Sequence, residues 1–252
     1  MRIDHPTQAE VPQVRALWKL VFSESDRFLD NFFAAAFAPE RCLCAWEGAE
    51  LAGMLHWMGA SRETDRYGYL YAVATHPDHR GKGVCRRLMA ACHELLAKQG
   101  CAGALLYPQD DGVRQMYAGM GYRNIGGVDL LKVTAGDVPA GIRTVTEEEY
   151  CRLRKTFLPE GGVIQEGETA RLLAREATLY AGKDFVLAGM RLPSGFFGAE
   201  LLGNRDAAAG ILAALNAEEG VFRVPGEQFP FAMFLPLQKN AAVPSYLGIV
   251  LD

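Results

Sequence analysis

The chain of 252 residues is half hydrophobic and 22% charged, the balance of an ordinary globular protein with enough length for one large domain or two small ones. A net charge of −4 argues against a nucleic-acid partner, which calls for a basic face. No apolar run approaches the roughly 20 residues of a membrane helix. The polar start MRIDHPTQAEVPQ also lacks the apolar segment of a secretory signal, so the expected compartment is the cytoplasm.

Taken in chain order, a short strand at Ile3 leads to a helix with Val14, Leu17, Trp18, Val21 and Phe22 at helical spacing. DRFLDNFFAAAF reads as a second helix that stops before Pro39. RCLCAWE and ELAGMLHWMGA are strand-like and joined at Gly48, which predicts a hairpin with a longer turn. YGYLYAVAT is a third strand, followed by a glycine loop and a helix from about Gly83 to Lys98. GALLYP is a strand, DGVRQMYAGM a short helix, and YRNIGGVDLLKVT one or two strands closing the first domain.

The small, turn-forming stretch AGDVPAG then marks a boundary. The expected division is a first domain over 1–135, a linker over 136–141 and a second domain over 142–252. IRTVTEEEYCRLRKTFLP repeats the strand-then-helix opening, KDFVLAGMRLPSGFFGAELLGN supplies two strands, and DAAAGILAALNA a helix with Asp206 as its N-cap. GVFRVP, FAMFLPL and YLGIVLD finish as strands. In element order the second half is a shortened echo of the first.

All five histidines and five of the six cysteines precede the expected linker. Cys42 and Cys44 alternate as on a strand, so their side chains share a face. No second pair at ligand spacing accompanies them, so no metal site is expected and the cysteines read as free thiols.

The chemistry concentrates in HPDHRGKGVCRRL, His76 to Leu88. Pro77 ends the strand, and Gly81 and Gly83 let the backbone turn tightly and approach a ligand closely. A glycine loop feeding a helix N-terminus gathers unpaired N–H groups and favours negative charge; Arg80, Lys82 and Arg86 add positive charge. These residues describe a diphosphate seat. ATP or GTP is disfavoured because no Ser or Thr follows Lys82 in the mononucleotide pattern, and a dinucleotide fold because the third glycine is missing.

The segment Tyr71–Arg87 resembles the acetyl-CoA signature of the GNAT acetyltransferase superfamily, Arg/Gln-x-x-Gly-x-Gly/Ala after a strand ending in a His/Asp-Pro turn. Arg80 and Gly83 match it, Gly81 is the common extra glycine, and Cys85 stands where glycine or alanine is usual. The resemblance covers the element order of residues 1–135. It implies an α/β (α+β) fold, with a mixed, mostly antiparallel sheet flanked by helices. A second, smaller and degenerate GNAT-like domain then serves as structure or as a wall of the substrate site.

By the same resemblance, acetyl-CoA is the co-substrate, with no metal. Arg80, Gly81, Lys82, Gly83, Val84, Cys85 and Arg86 seat its pyrophosphate. Backbone N–H groups of Val73, Ala74 and Thr75 hold the pantetheine arm and the acetyl carbonyl. Tyr117, followed by Gly121-Tyr122 at the family's spacing, protonates the leaving thiolate. A primary amine, on a small molecule or a peptide, attacks directly in a ternary complex, with no nucleic acid or membrane involved and homo-oligomerisation left open.

The family's carboxylate on the strand before the loop is absent from YGYLYAVAT. Candidate bases are His56, Tyr69 or Tyr71 through an ordered water, and Glu63 or Asp65; none is assigned. The alternative to an enzyme is a non-catalytic acyl-CoA sensor or scaffold.

Overall fold

The apolar runs at the start of the chain become neighbouring strands in a computed structural model that describes residues 1–250. β1 (Arg2–Asp4) pairs antiparallel with β2 (Cys42–Glu47), β2 with β3 (Glu50–Arg62), and β3 with β4 (Asp65–Thr75). β2 and β3 are buried on both faces, so they read as continuous hydrophobic runs and do not alternate. Glu47 pairs with Glu50. The turn between them is therefore the two residues Gly48-Ala49, tighter than the sequence suggested, with Gly48 in the left-handed region at φ 62°. Cys42 and Cys44 do share a face, their sulfurs 3.9 Å apart.

Helices cover both faces of this ladder. α1 (Val11–Phe22) and α2 (Asp26–Ala35) bury Trp18 and Phe32 against Tyr71 and His56. α3 (Val84–Lys98) lies on the opposite face and packs Val84, Leu88, Cys92 and Leu96 against Leu55, Trp57 and Leu70. β5 (Gly103–Leu106) then pairs parallel with β4, and α4 (Asp111–Ala118) starts at Asp110, whose carboxylate accepts the Val113 N–H.

The next strand leaves this unit. β6 (Arg123–Thr134), expected to close the first domain, runs antiparallel to β11 (Glu219–Pro225). Between them come β7 (Arg143–Thr144), α5 (Glu147–Phe157), α6 (Glu168–Glu176), β8 (Thr178–Ala181), β9 (Phe185–Leu192), β10 (Gly195–Gly203) and α7 (Ala208–Ala214). The strand order in this second unit is β6-β11-β10-β9-β8-β7. β12 (Phe229–Pro236) then supplies the strand that β6 does not: Met233 pairs with Leu106 through to Pro236 with Gly103. The first unit's strand order is therefore β1-β2-β3-β4-β5-β12.

The compact units are thus Met1–Arg123 with Met233–Ala242, and Asn124–Ala232 with the chain from Val243. The stretch 136–141 is not a connection between them. It is a loop of the second unit, where the Gly136 and Ala140 N–H groups donate to the carbonyls of Ala209 and Gly210. Each unit holds one parallel pair, β4–β5 and β10–β11, among antiparallel ones. Other differences from the sequence reading are local. Asn204 caps the turn before α7 by accepting the Asp206 N–H at 3.0 Å, in place of Asp206. Tyr246–Val250 is a buried segment with a single bridge, Gly162 to Tyr246, not a strand; Leu251 and Asp252 lie outside the described residues. Helix α6 and strand β8 were not foreseen.

A buried ion pair anchors the second unit. Arg154 and Glu200 are 2% and 1% exposed. Arg154 Nε and Nη2 donate to the two carboxylate oxygens at 2.7 and 2.9 Å. Tyr150 and Tyr246 donate to the same carboxylate at 2.9 and 3.2 Å, and Arg154 Nη1 donates to the Val163 carbonyl. Such fork-to-fork pairing satisfies nearly every polar atom, which is the condition under which a buried pair is tolerated. Glu200→Gln should therefore destabilise the protein by about 3–5 kcal/mol, because the guanidinium is left buried without its counter-charge. Equilibrium urea unfolding of the variant beside the wild type measures this, and the double variant Arg154→Met/Glu200→Leu should recover part of the loss.

Candidate active site

β4 and β5 stay together only from Tyr67–Gly103 to Leu70–Leu106, while β4 continues to Thr75. Opposite β3, His56 pairs with Tyr71 and Met54 with Ala74, so Ala72 and Val73 face the single residue Leu55. This is a β-bulge, with Ala72 in the left-handed region at φ 51°. Tyr71, Ala72 and Val73 are half-buried, directly after the buried run Tyr67–Leu70. β4 therefore parts from β5 at this point of the strand.

The loop follows directly. His76 accepts the Asp78 N–H and starts a helical turn, Pro77–His79. Gly81 and Gly83 both take φ 75°, and Gly83 caps α3 without a side-chain bond to the helix. A Cβ at Gly81 would meet no atom within 4 Å and one at Gly83 only the Arg87 guanidinium at 4.0 Å. The space above the loop is open to a ligand. No acidic residue stands in the first turn of α3, and the side chains of Arg80, Lys82 and Arg86 have no acidic partner among the described residues. Open N–H groups, a helix N-terminus and three free cations suit a diphosphate.

A cavity of about 490 Å³ runs from this loop to α4. Of the residues singled out by sequence, Val73, Thr75, Arg80, Gly81, Gly83, Val84, Cys85, Arg86 and Tyr117 line it. Ala74 is buried beneath it and Lys82 is exposed beside it. Sequence reasoning missed Val113, Met116 and Met120 on the α4 side, Val21 and Phe22 at the end of α1, and His79 and Gln109. The spacing of Val113, Met116 and Met120 carried a helical signal, but apolar residues at that spacing read equally as core.

Tyr117 is 5% exposed. Burial pushes its phenol well above the usual tyrosine range, and the neighbouring Cys85 thiol pushes it further. It stays protonated at neutral pH and can donate. Its ring packs on Tyr122, whose hydroxyl lies 2.8 Å from His93 Nε2. Burial also raises the Cys85 thiol, partly opposed by Arg86, so Cys85 is a neutral lining group.

His56 stands elsewhere. It does not line the cavity and is fully buried against Phe32 and Phe37. Its Nε2 accepts the Ala38 N–H at 3.3 Å. Desolvation, assisted by Arg41, lowers its pKa to about 3. Glu63 and Asp65 flank the other end of β4. Asp65 is eight residues from Val73, which is about 26 Å of strand, and its carboxylate faces Tyr67 and the Ala242 N–H.

Residues 2–125 match the acetyltransferase (GNAT) domain family. No curated protein matches the chain in sequence. Among solved structures, the fold is similar to a GCN5-related N-acetyltransferase from Anabaena variabilis, with 13% identity and a TM-score of 0.75 over 94% of this chain and 73% of that one. A GCN5-related N-acetyltransferase from Kribbella flavida is similar at 17% identity and 0.71, over 94% and 72%. A tandem GNAT protein from the clavulanic acid biosynthesis pathway is similar at 12% and 0.59, over 95% and 100%. What is shared at these identities is the fold: a GNAT domain in the first half, with the remainder matching a tandem arrangement. Among the described residues, no helix is long and apolar enough to cross a membrane.

The buried histidine makes stability depend on pH in a defined direction. With a folded pKa of about 3 against about 6.5 unfolded, His56 binds its proton more readily in the unfolded chain. Its neutral burial is without penalty above pH 6.5 and costs increasingly as pH falls towards 3. Between pH 7.5 and 5 the loss is about 2 kcal/mol from this one group. His93, lowered by burial to about 4, acts in the same direction. Urea unfolding at the two pH values should show this loss, and His56→Leu should shrink the difference.

Proposed function

Residues 2–125 are a GNAT acetyltransferase domain, and we propose that it moves an acetyl group from acetyl-CoA to a primary amine by direct attack in a ternary complex. The observation that carries this reading is the single cavity in which the basic glycine loop, the parted strand and Tyr117 meet. Arg80, Arg86 and the N–H groups after Gly81 and Gly83 hold the pyrophosphate. The bulged backbone at Ala72–Val73 turns N–H groups towards the acetyl carbonyl. One well-aimed backbone donor of this kind supplies about 2.7–4 kcal/mol of transition-state stabilisation. Tyr117, protonated at neutral pH, gives its proton to the departing thiolate.

The amine's own proton leaves to solvent, and the Tyr117 phenolate regains its proton from solvent. β4 has no carboxylate beyond Asp65, and the Nε2 lone pair of His56 is already engaged. The rate should then follow the fraction of free amine, rising with pH up to the amine's own pKa and showing no inflection from a protein base.

The absence of a carboxylate on β4 beyond Asp65 also favours the second reading, an acyl-CoA sensor without turnover. Tyr117→Phe separates the two. For an enzyme, kcat for thiol release with an amine acceptor should fall by about a hundredfold or more, while calorimetric affinity for acetyl-CoA is unchanged. Gly83→Val, which forces a side chain at φ 75° over the loop, should abolish binding. Wild-type binding without thiol release across an amine panel would leave the sensor reading standing, and absence of wild-type binding would end both.

A further inference from the structure

Three metal-ligating side chains converge beside the loop, and none has a part in the acetyl transfer proposed, although His79 also lines the cavity. They are Glu50 at the start of β3 and His76 and His79 in the turn after β4, and one ligand atom of each lies within 4.8 Å of the others. The ladder brings them together. Gly53 pairs with Thr75, and the His76 N–H donates to the Ala52 carbonyl at 2.9 Å, which sets the turn next to the first residues of β3. Within the turn Pro77–His79, side chains three apart eclipse one another, and the two imidazole centroids are 5.9 Å apart.

One pair already stands at ligand spacing. His79 Nε2 is 3.3 Å from Glu50 Oε2, which is about the separation of two ligands at tetrahedral angles on bonds of roughly 2.0–2.1 Å. His79 is 8% exposed, and Nε2, the nitrogen beside Glu50, is the one that reaches the site. The Asp78 carboxylate, 3.9 Å from His76 Nδ1, adds negative charge to the same place. Two imidazoles and a carboxylate, with no thiolate, are a donor set for zinc and its transition-metal neighbours rather than for calcium or magnesium.

We propose that Glu50, His76 and His79 form a site for one zinc-class divalent ion, with a fourth position open to solvent. Bound there, the ion ties the turn that precedes Arg80 to β3 and so stiffens the anion loop. The site stands independently of the acetyl-transfer reading, because its test reads metal and not turnover.

The full chain, stripped with a chelator, is titrated with Zn2+ by calorimetry and with Co2+ by visible absorption, beside Glu50→Gln and His76→Ala. Both positions reach the surface, so the variants should fold. The expected result is one ion per chain and the ligand-field bands of tetrahedral cobalt without thiolate charge transfer. Binding in each variant should be weaker by about tenfold or more. No saturable binding would overturn the proposal and leave His79 and Glu50 as a simple ion pair. Equal binding by wild type and variants would overturn it too. So would a thiolate charge-transfer band, which would put the ion on Cys42 and Cys44.

Discussion

The parting of β4 from β5 is the constraint on which the first unit's architecture turns. A sheet ordinarily satisfies every backbone N–H and C=O through its neighbours, yet β5 bonds β4 over four residue pairs only. Beyond Leu70 the strand keeps its partner on the β3 side and opens on the other. The bulge at Ala72 rotates the backbone there, and a non-glycine residue in the left-handed region costs about 1–2 kcal/mol, strain of the kind that clusters at ligand sites. β5 is held from its far edge by Met233–Pro236. Gly103 lets that strand come close: a Cβ there would lie 2.1 Å from the Phe234 ring. The strand from which β4 parts is therefore held by one that arrives more than a hundred residues later.

The second unit repeats the device and then closes it. β10 runs antiparallel to β9 and parallel to β11, and the parallel pairing stops at Gly198–Phe222. A bulge follows between Gly198 and Glu200, as one follows Leu70 in the first unit. Where the first unit opens into a cavity, Glu200 draws in Arg154, Tyr150 and Tyr246. The chain at Gly248 passes so close that a Cβ there would clash with the carboxylate. The turn after β10 carries Asn204 and Arg205 and no basic glycine run. The second unit has the same strand geometry without a basic glycine loop after it.

What was legible in the sequence was what is local. Pro77, the two glycines and the apolar stripe of α3 specify strand end, turn and helix within two dozen residues, and Tyr117 follows at short range on a helix that Asp110 caps. The exchange of β6 for β12 was not legible. Both segments carry ordinary strand patterns, and which edge each one joins is decided by register and packing across the whole chain. AGDVPAG looked like a linker because it is small and turn-rich, but those properties describe a packed loop on α7 equally well. His56 looked like a base because its intrinsic pKa is right. Its strand position gave no warning that residues from α2 and the turn after it would enclose it and take its lone pair.

The two units also show why a carboxylate at the parting strand is not a neutral choice. Tyr71 and Glu200 each flank their bulge and face the helices packed on that side. Tyr71 lies among Trp18 and Phe32, with ring centroids 5.7 and 5.6 Å away. A carboxylate in that aromatic setting would be partly desolvated, and burial would raise its pKa and favour the neutral acid. Glu200 stays in place only because α5 supplies a guanidinium and a phenol and the C-terminal segment supplies another. A group so thoroughly bonded has no lone pair left for an incoming amine. The choice at this position is between an aromatic wall that leaves the cleft neutral and a carboxylate whose partners fill it. The first unit holds the former, so the groups its cleft offers are backbone N–H donors, the cationic loop and one buried phenol.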